Sequence, residues 1–135
     1  MSLVPYLAKV AVYWREEESD QADAELRVLV YTEEEGEKPL DNSLETREGF
    51  LPVVVSPELV VREKGEVEVR VRGNLVNVAT APPRLVFKPF RENRCTLPVK
   101  RVQGNIPAAG TLEIVTDHST LWSSSILVPM GKKAS

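Results

Sequence analysis

The fold class of this chain is decided by residues 66–72, which read Glu-Val-Glu-Val-Arg-Val-Arg. Valine alternates strictly with a charged residue, so Val67, Val69 and Val71 share one face of an extended chain and the charges share the other. A helix would scatter these valines around its axis instead of placing them on one stripe. The segment therefore predicts a β-strand with one buried and one solvent-facing side.

Working outward, short segments rich in β-branched and apolar residues recur on both sides of residues 66–72, and Gly, Pro and Asn separate them about every ten residues. This spacing of short strands is typical of a sandwich. The ten prolines fall mostly at strand edges or in loops, where a missing N–H is tolerated. We predict an all-β fold, an antiparallel β-sandwich of about eight to ten strands, with further strands at 7–14, 24–32, 84–87, 97–102, 111–116 and 120–128.

One segment departs from this pattern. Asn42 and Ser43 can cap a helix, Glu45 lies where a return carboxylate belongs, and Gly49 can end the turn. We predict a short helical turn over residues 42–48.

Length and composition indicate one globular domain. The 135 residues are 42% hydrophobic and 27% charged, which is ordinary for a folded domain. The longest apolar runs, such as residues 51–55, fall far short of the ~20 residues that span a bilayer. With no secretory signal at the N-terminus, and with Cys95 as its single cysteine, the chain is expected to be cytoplasmic. We expect the domain to occupy residues 4–130, with residues 1–3 and 131–135 as cut ends of a longer protein.

Charge is divided unevenly along the chain. Residues 1–66 hold 7 Lys and Arg against 16 Asp and Glu, a net charge of −9, whereas residues 67–135 hold 10 against 4, a net charge of +6. Such a division indicates either complementarity within the domain or a charged docking face.

Three strings, in order along the chain, resemble a known family. They are Val-Pro-Tyr-Leu-Ala-Lys at residues 4–9, Gly-Asn-Leu-Val at 73–76, and Phe-Arg-Glu-Asn-Arg at 90–94, closed by Leu-Pro-Val-Lys at 97–100. Together they resemble the UPA domain of ankyrins, which is also found in netrin receptors and in PIDD-type death-domain proteins. The first and third strings favour the ankyrin branch.

The resemblance implies a module that packs against preceding ZU-type domains of the same polypeptide. In ankyrins these modules form one rigid unit that joins spectrin to membrane proteins, and the spectrin contact belongs to a ZU domain. The implied function is a non-catalytic scaffold at the cytosolic face of a membrane or of the cytoskeleton, with spectrin and membrane proteins as indirect partners. The alternative is a regulatory UPA module of a death-domain signalling protein, which mediates autoinhibition or oligomer assembly.

The candidate docking residues are Arg91, Glu92, Asn93 and Arg94, which we expect in a turn after a strand that ends at Phe87 or Phe90. An arginine guanidinium is a planar fork that matches carboxylates. The string therefore either contacts an acidic surface of a neighbouring domain or holds a corner of this domain through backbone carbonyls or the acidic half of the chain. Gly73 and Asn74 are expected to form a structural turn.

The sequence offers no convincing catalytic or metal-binding group. Residues 117–119 read Asp-His-Ser, but neighbours in an extended chain point to opposite faces and do not form a triad. His118 has no second His or Cys at ligand spacing. The runs Glu16–Glu18 and Glu33–Glu35 are interpreted as solvated loop tips. We expect no enzymatic activity, no cofactor and no metal.

Aromatic residues are expected in the core. Trp14 and Trp122 have apolar neighbours, which favours packing over a sugar-binding platform, and Leu85 and Phe87 share one strand face. Because stacking platforms need exposed rings, while only 6% of the residues are aromatic and the pI is about 5.3, we expect no nucleic-acid partner. For Cys95, which follows Arg94, the alternatives are a slightly acidified thiol without an evident catalytic partner and a simply packed cysteine.

Overall fold

The alternating segments form two antiparallel sheets. The structure is a computed structural model that describes residues 4–17, 19–32, 44–117 and 119–129. These residues contain ten strands and one short helix, in the order β1 (Pro5–Glu16), β2 (Ala24–Tyr31), α1 (Leu44–Arg47), β3 (Leu51–Val55), β4 (Leu59–Arg62), β5 (Glu66–Gly73), β6 (Leu75–Asn77), β7 (Arg84–Val86), β8 (Asn93–Arg101), β9 (Ala108–Thr116) and β10 (Ser119–Val128).

The first sheet has the strand order β3-β1-β2-β8-β6, and the second has the order β10-β9-β5-β7. Strand β4 joins the first sheet by pairing with the beginning of β1, where Leu7 lies opposite Val60. The rest of β1 pairs with β2 on one side and with β3 on the other. All of these pairs are antiparallel, as predicted.

One hydrophobic core lies between the two sheets. Val67 and Val69 of β5 are fully buried in it, and Val71 packs against it, as the alternation predicts. The largest fully buried side chains of this core lie in or next to strands of both sheets: Leu26, Leu75, Phe87, Leu97, Leu112 and Ile114.

A second, smaller cluster covers part of the outer face of the first sheet. It comprises Ala11, Tyr13, Leu29, Tyr31 and Phe50. The first four come from positions of β1 and β2 that point away from the main core, and Phe50 follows α1. Because both faces of β1 and β2 are buried here, these strands read as nearly continuous apolar runs rather than as clean alternation.

The structure confirms the sandwich and the helical turn, whose helix spans Leu44–Arg47; the proposed cap, Asn42 and Ser43, lies outside the described residues. Strands β3, β4 and β6 were not predicted. Pro52 lies within β3, and β6 has three residues, so neither shows a β pattern long enough to recognise. The expected turn at 91–94 is wrong in its second half, because Asn93 and Arg94 begin β8.

The one helix in the described part of the chain is α1, with four residues, so no helix there is long and apolar enough to cross a membrane.

Candidate interaction surfaces

A buried carboxylate fixes α1 to the outer face of the first sheet. Glu45 is 0% exposed. The Nε of Arg94 donates a hydrogen bond to its Oε2 at 2.5 Å, and Nη1 of Arg27 lies 3.5 Å from the same oxygen. A buried charge is tolerated only when it is paired in this way. Glu45 thus ties α1 to both β2 and β8.

The ring of Phe50 strengthens the same attachment. The guanidinium carbons of Arg15 and Arg27 each lie 4.4 Å from its centroid, within cation–π range. Nη1 of Arg15 also donates to the backbone carbonyl of Glu48 at 2.9 Å, and Arg27 forms an ion pair with the Glu48 carboxylate. Residues 45–50 are therefore held by the sheet through polar and aromatic contacts together.

The ion pairs keep their members charged. Burial by itself lowers the pKa of Arg94, but its hydrogen bonds to Glu45 and Glu92 outweigh burial and raise that pKa above its ordinary value. The hydrogen bond from Arg27 lowers the pKa of Glu48. Both shifts favour the charged forms at neutral pH.

The candidate docking string divides into an inner and an outer part. Asn93 is buried: its Oδ1 accepts the Lys88 N–H at 3.0 Å, and its Nδ2 donates to the carbonyls of Val30, Lys88 and Arg91. Arg94 is paired with Glu45 and Glu92. Arg91 and Glu92 are exposed. A docking role for this string stays a prediction. Of its four residues, Arg91 and Glu92 are the ones exposed enough to contact another domain.

Gly73 and Asn74 form a tight corner after β5. Gly73 has a φ of 97°, a left-handed backbone conformation that residues with a side chain rarely adopt. The Nδ2 of Asn74 donates to the carbonyls of Gln103, Ile106 and Pro107 at 2.9–3.1 Å, and its Oδ1 accepts the Gln103 N–H at 2.8 Å. One side chain therefore holds the loop between β8 and β9.

Strand β10 is the longest free edge of the second sheet. Among the described residues it pairs only with β9, so its other side presents unpaired backbone groups. Its ten residues, Ser-Thr-Leu-Trp-Ser-Ser-Ser-Ile-Leu-Val, include no charge and no proline. A register shift between Thr120 and Trp122 interrupts the pairing near its beginning, and the strand continues regularly to Val128.

Apolar side chains are also exposed on the outer face of the first sheet. Leu7 and Val60 lie directly opposite each other on β1 and β4, and each is 58% exposed. Val55, on the neighbouring β3, is partly exposed as well. This small group extends beyond the cluster covered by Phe50.

Several of the other residues considered in the sequence pack in or against the core. Trp14, Leu85 and Phe87 lie in the core, and Trp122 packs against it, which confirms the packing interpretation. His118 lies outside the described residues, so the 117–119 string as a whole is not described. The described residues contain no group of three or more His, Cys, Asp or Glu side chains that could hold a metal ion.

Cys95 packs against the core, which confirms the packed alternative and shows that the acidified thiol is wrong. Burial raises the pKa of its thiol to about 12. Successive residues of a strand point to opposite faces, so Arg94 faces Glu45 on the outer side while Cys95 packs against the core. The neighbouring charge in the sequence therefore does not act on the thiol.

A comparison with known protein families identifies the class of this domain. Residues 4–128 match the model of the UPA domain. The chain belongs to this family. The family and the fold together indicate a protein-interaction module.

The relatives are ankyrins. The chain is 30% identical to ankyrin-1 of Homo sapiens over 117 residues, which cover 85% of this chain and 6% of ankyrin-1. It is 32% identical to ankyrin-1 of Mus musculus over 102 residues, covering 74% of this chain and 5% of that protein. Ankyrin-3 of Mus musculus is 28% identical over 141 residues, covering 97% of this chain and 7% of that protein. The chain thus spans a small fraction of these relatives, and its resemblance to the ankyrin type of UPA domain is confirmed.

Proposed function

We propose that this UPA domain is a non-catalytic scaffold module that packs against neighbouring ZU-type domains of an ankyrin-like membrane-skeleton adaptor, at the cytosolic face of a membrane. The observation that carries the proposal is the free edge of β10. A long edge strand without charge is a ready template for another strand. In a module of a multidomain protein, a strand of a neighbouring domain is a natural occupant.

The other free edges of the two sheets are protected. Pro52 interrupts β3, Arg62 ends β4, and β6 and β7 have three residues each. Proline, terminal charge and shortness are the ordinary means of preventing edge pairing. Because β10 has none of these three features, it supports our proposal as the edge that accepts a partner strand.

The side chains of β10 suit close approach. Ser123, Ser125 and Leu127 are exposed on the strand, and two of the three are small hydroxyl residues. Small side chains leave the backbone of an edge accessible, and the edge hydrogen bonds supply affinity in strand addition. Strand addition at β10 would therefore bind a neighbour chiefly through backbone groups.

Arg91 and Glu92 are the candidate second contact. Both are exposed at the turn before β8, whereas Arg94 already binds Glu45 and Glu92. A contact through Arg91 would depend on charge and would weaken as salt rises. Strand addition would depend on salt much less, so the two contacts are separable.

The alternative function, a regulatory module of a death-domain signalling protein, predicts a different occupant for the same edge. Two uncharged β10 edges from separate copies are able to pair with each other. Such pairing would produce assembly that depends on concentration, without a ZU-type domain.

The experiment is sedimentation velocity of this chain alone and mixed with a ZU-type domain of an ankyrin. We expect a monomer alone and a complex in the mixture. Ser123→Lys with Ser125→Lys should weaken the complex by about tenfold or more, because charges on an edge prevent strand addition. The matched control, Ser123→Thr with Ser125→Thr, keeps the edge uncharged and should bind as the wild type does.

Arg91→Ala should weaken the same complex only at low salt if the turn contributes. A complex that the lysine pair leaves unchanged, or the absence of a complex, would overturn the role of β10. Self-assembly of the chain alone that the lysine pair abolishes would favour the regulatory alternative.

A further inference from the structure

The sandwich has an open cleft at one end, beside the loop that Asn74 holds. Its volume is about 620 Å³. Its lining comes from the end of β8, the loop 104–107, the start of β9 and the end of β10, together with Asp23, which lies just before β2. A cleft of this size is large enough for several atoms of a ligand.

The polar group of interest in the cleft is Arg101. It is the last residue of β8 and lies opposite Leu75, which is buried. Its Nε is buried and has no hydrogen-bond partner among the described residues. An unsatisfied buried donor is costly, more so when the group is charged, and such exceptions in a folded protein call for an explanation.

Asp23 is the acidic residue in the lining of the cleft, and it is already engaged. Its Oδ2 accepts the backbone N–H of Arg101 at 3.0 Å, and its own backbone N–H donates to the carbonyl of Val99 at 2.9 Å. Asp23 therefore fixes the backbone at the end of β8, while the Nε of the same arginine is left to another acceptor.

Apart from Asp23 and Asn105, the side chains that line the rest of the cleft are aliphatic. Leu127 is 59% exposed and Ile106 is 43% exposed, and both line the opening. Ala108 and Val128 form its buried wall. An apolar surface with one unsatisfied cationic donor is complementary to an apolar group that carries an anion.

We infer that this cleft binds a carboxylate that lies next to an aliphatic side chain in a peptide segment of a partner protein. The carboxylate accepts a hydrogen bond from the Nε of Arg101, and the aliphatic side chain packs between Ile106 and Leu127. A carboxylate suits the site because the planar guanidinium fork offers parallel donors to two oxygens. This site goes beyond the proposed function, and small probes test it without any partner domain.

The test is an NMR titration of the ¹⁵N-labelled chain at pH 7 with N-acetyl-leucine, and with N-acetyl-leucinamide as the neutral control. We expect saturable shifts of the amide signals of Arg101, Ile106 and Leu127 with the acid and not with the amide. A third probe, N-acetyl-Leu-Glu-amide, carries its carboxylate on a side chain. Tighter binding of this probe or of N-acetyl-leucine identifies a side-chain or a C-terminal carboxylate as the natural source.

Variants separate the charge from the apolar wall. Arg101→Met should weaken binding of the acid by about tenfold or more, whereas Arg70→Met, on the outer face of the second sheet, should leave it unchanged. Should Arg101→Met fail to fold, Leu127→Ser alters an exposed residue and should also weaken binding. The inference is overturned if acid and amide shift the same signals equally, if neither binds, or if Arg101→Met binds the acid as the wild type does.

Discussion

Glu45 of α1 and Arg94 of β8 form a buried ion pair between residues that are 49 positions apart, with Nε and Oε2 separated by 2.5 Å. The pair joins the acidic first half of the chain to the basic second half. The ion pairs of Arg15 with Glu25 and of Arg72 with Glu113, by contrast, each stay within one half. At this position, the acidic and the basic half of the sequence attract each other within the domain.

Removing the arginine of this pair should destabilise the domain. In Arg94→Met the Glu45 carboxylate stays buried with Arg27 at 3.5 Å as its remaining partner, so the free energy of unfolding should fall by about 3 kcal/mol. Urea denaturation measures the change. The control is Arg72→Met, whose ion pair with Glu113 is exposed on the arginine side, and which should cost less than about 1 kcal/mol. Equal effects of the two variants would contradict a special role for the buried pair.

The sequence predicted that Glu45 lies in a helical turn, but not that its carboxylate is buried and paired with Arg94. Its spacing from Asn42 indicated a return contact at the start of a helical turn, and the helix is present. Its burial depends on the outer face of β1 and β2 being covered, and on Arg94 reaching that face from a strand far along the chain. Local patterns carry no information about such a distant contact, because register across strands is set by packing.

Among the strands too, some were predicted from local sequence patterns and others were not. The strand at residues 66–72 was predicted because a strand with one buried and one solvent-facing side alternates apolar and polar residues. Strands β3 and β4 lie in a stretch where Pro52 interrupts the pattern and short runs of valine follow, so periodicity alone does not separate strand from loop. Asn93 was expected in a turn from its propensity, but its amide satisfies three carbonyls from inside the fold, and this tertiary contact outweighs local preference.

The free edge of β10 could not be predicted from the sequence, for a different reason. Its residues predicted a strand correctly, but a sequence does not reveal which strands end at the edge of a sheet. The unpaired Nε of Arg101 likewise depends on the three-dimensional neighbours of one atom. Both features required the sheet order and the packing of the sandwich ends.

Cys95 should make the stability of the domain depend on alkaline pH. The unfolded thiol releases its proton above about pH 8.5, whereas the native thiol retains it until its pKa of about 12. The unfolded state then binds fewer protons than the native state, so stability falls as pH rises, by up to about 1.4 kcal/mol per pH unit between the two values.

The measurement is the free energy of unfolding of the wild type and of Cys95→Ala from pH 7 to pH 10.5, under reducing conditions. The advantage of the wild type should be constant below about pH 8 and should shrink steadily above it. Lysine and tyrosine titrations affect both proteins equally and cancel in the difference. Two curves that stay parallel throughout would show that burial does not shift this thiol.

The contact between β5 and β9 imposes a strict requirement for glycine. Gly73 lies opposite Gly110, and a Cβ at Gly110 would lie 2.2 Å from the carbonyl oxygen of Arg72. Because this oxygen belongs to the backbone of a paired strand, a rotamer change is unable to relieve the clash. The two strands would have to separate at the corner that precedes Asn74.

Gly110→Ala should therefore lower the free energy of unfolding by about 1–3 kcal/mol or more, measured by urea denaturation. Gly104→Ala is the matched control, because a Cβ at Gly104 meets no atom within 4 Å, and its effect should stay within about 0.5 kcal/mol. Since Asn74 fixes the loop that lines the cleft, separation at this corner should also disturb the amide signals of Gln103 and Ile106 in Gly110→Ala. An alanine at 110 that is tolerated as well as one at 104 would mean that β5 and β9 do not approach this closely in solution.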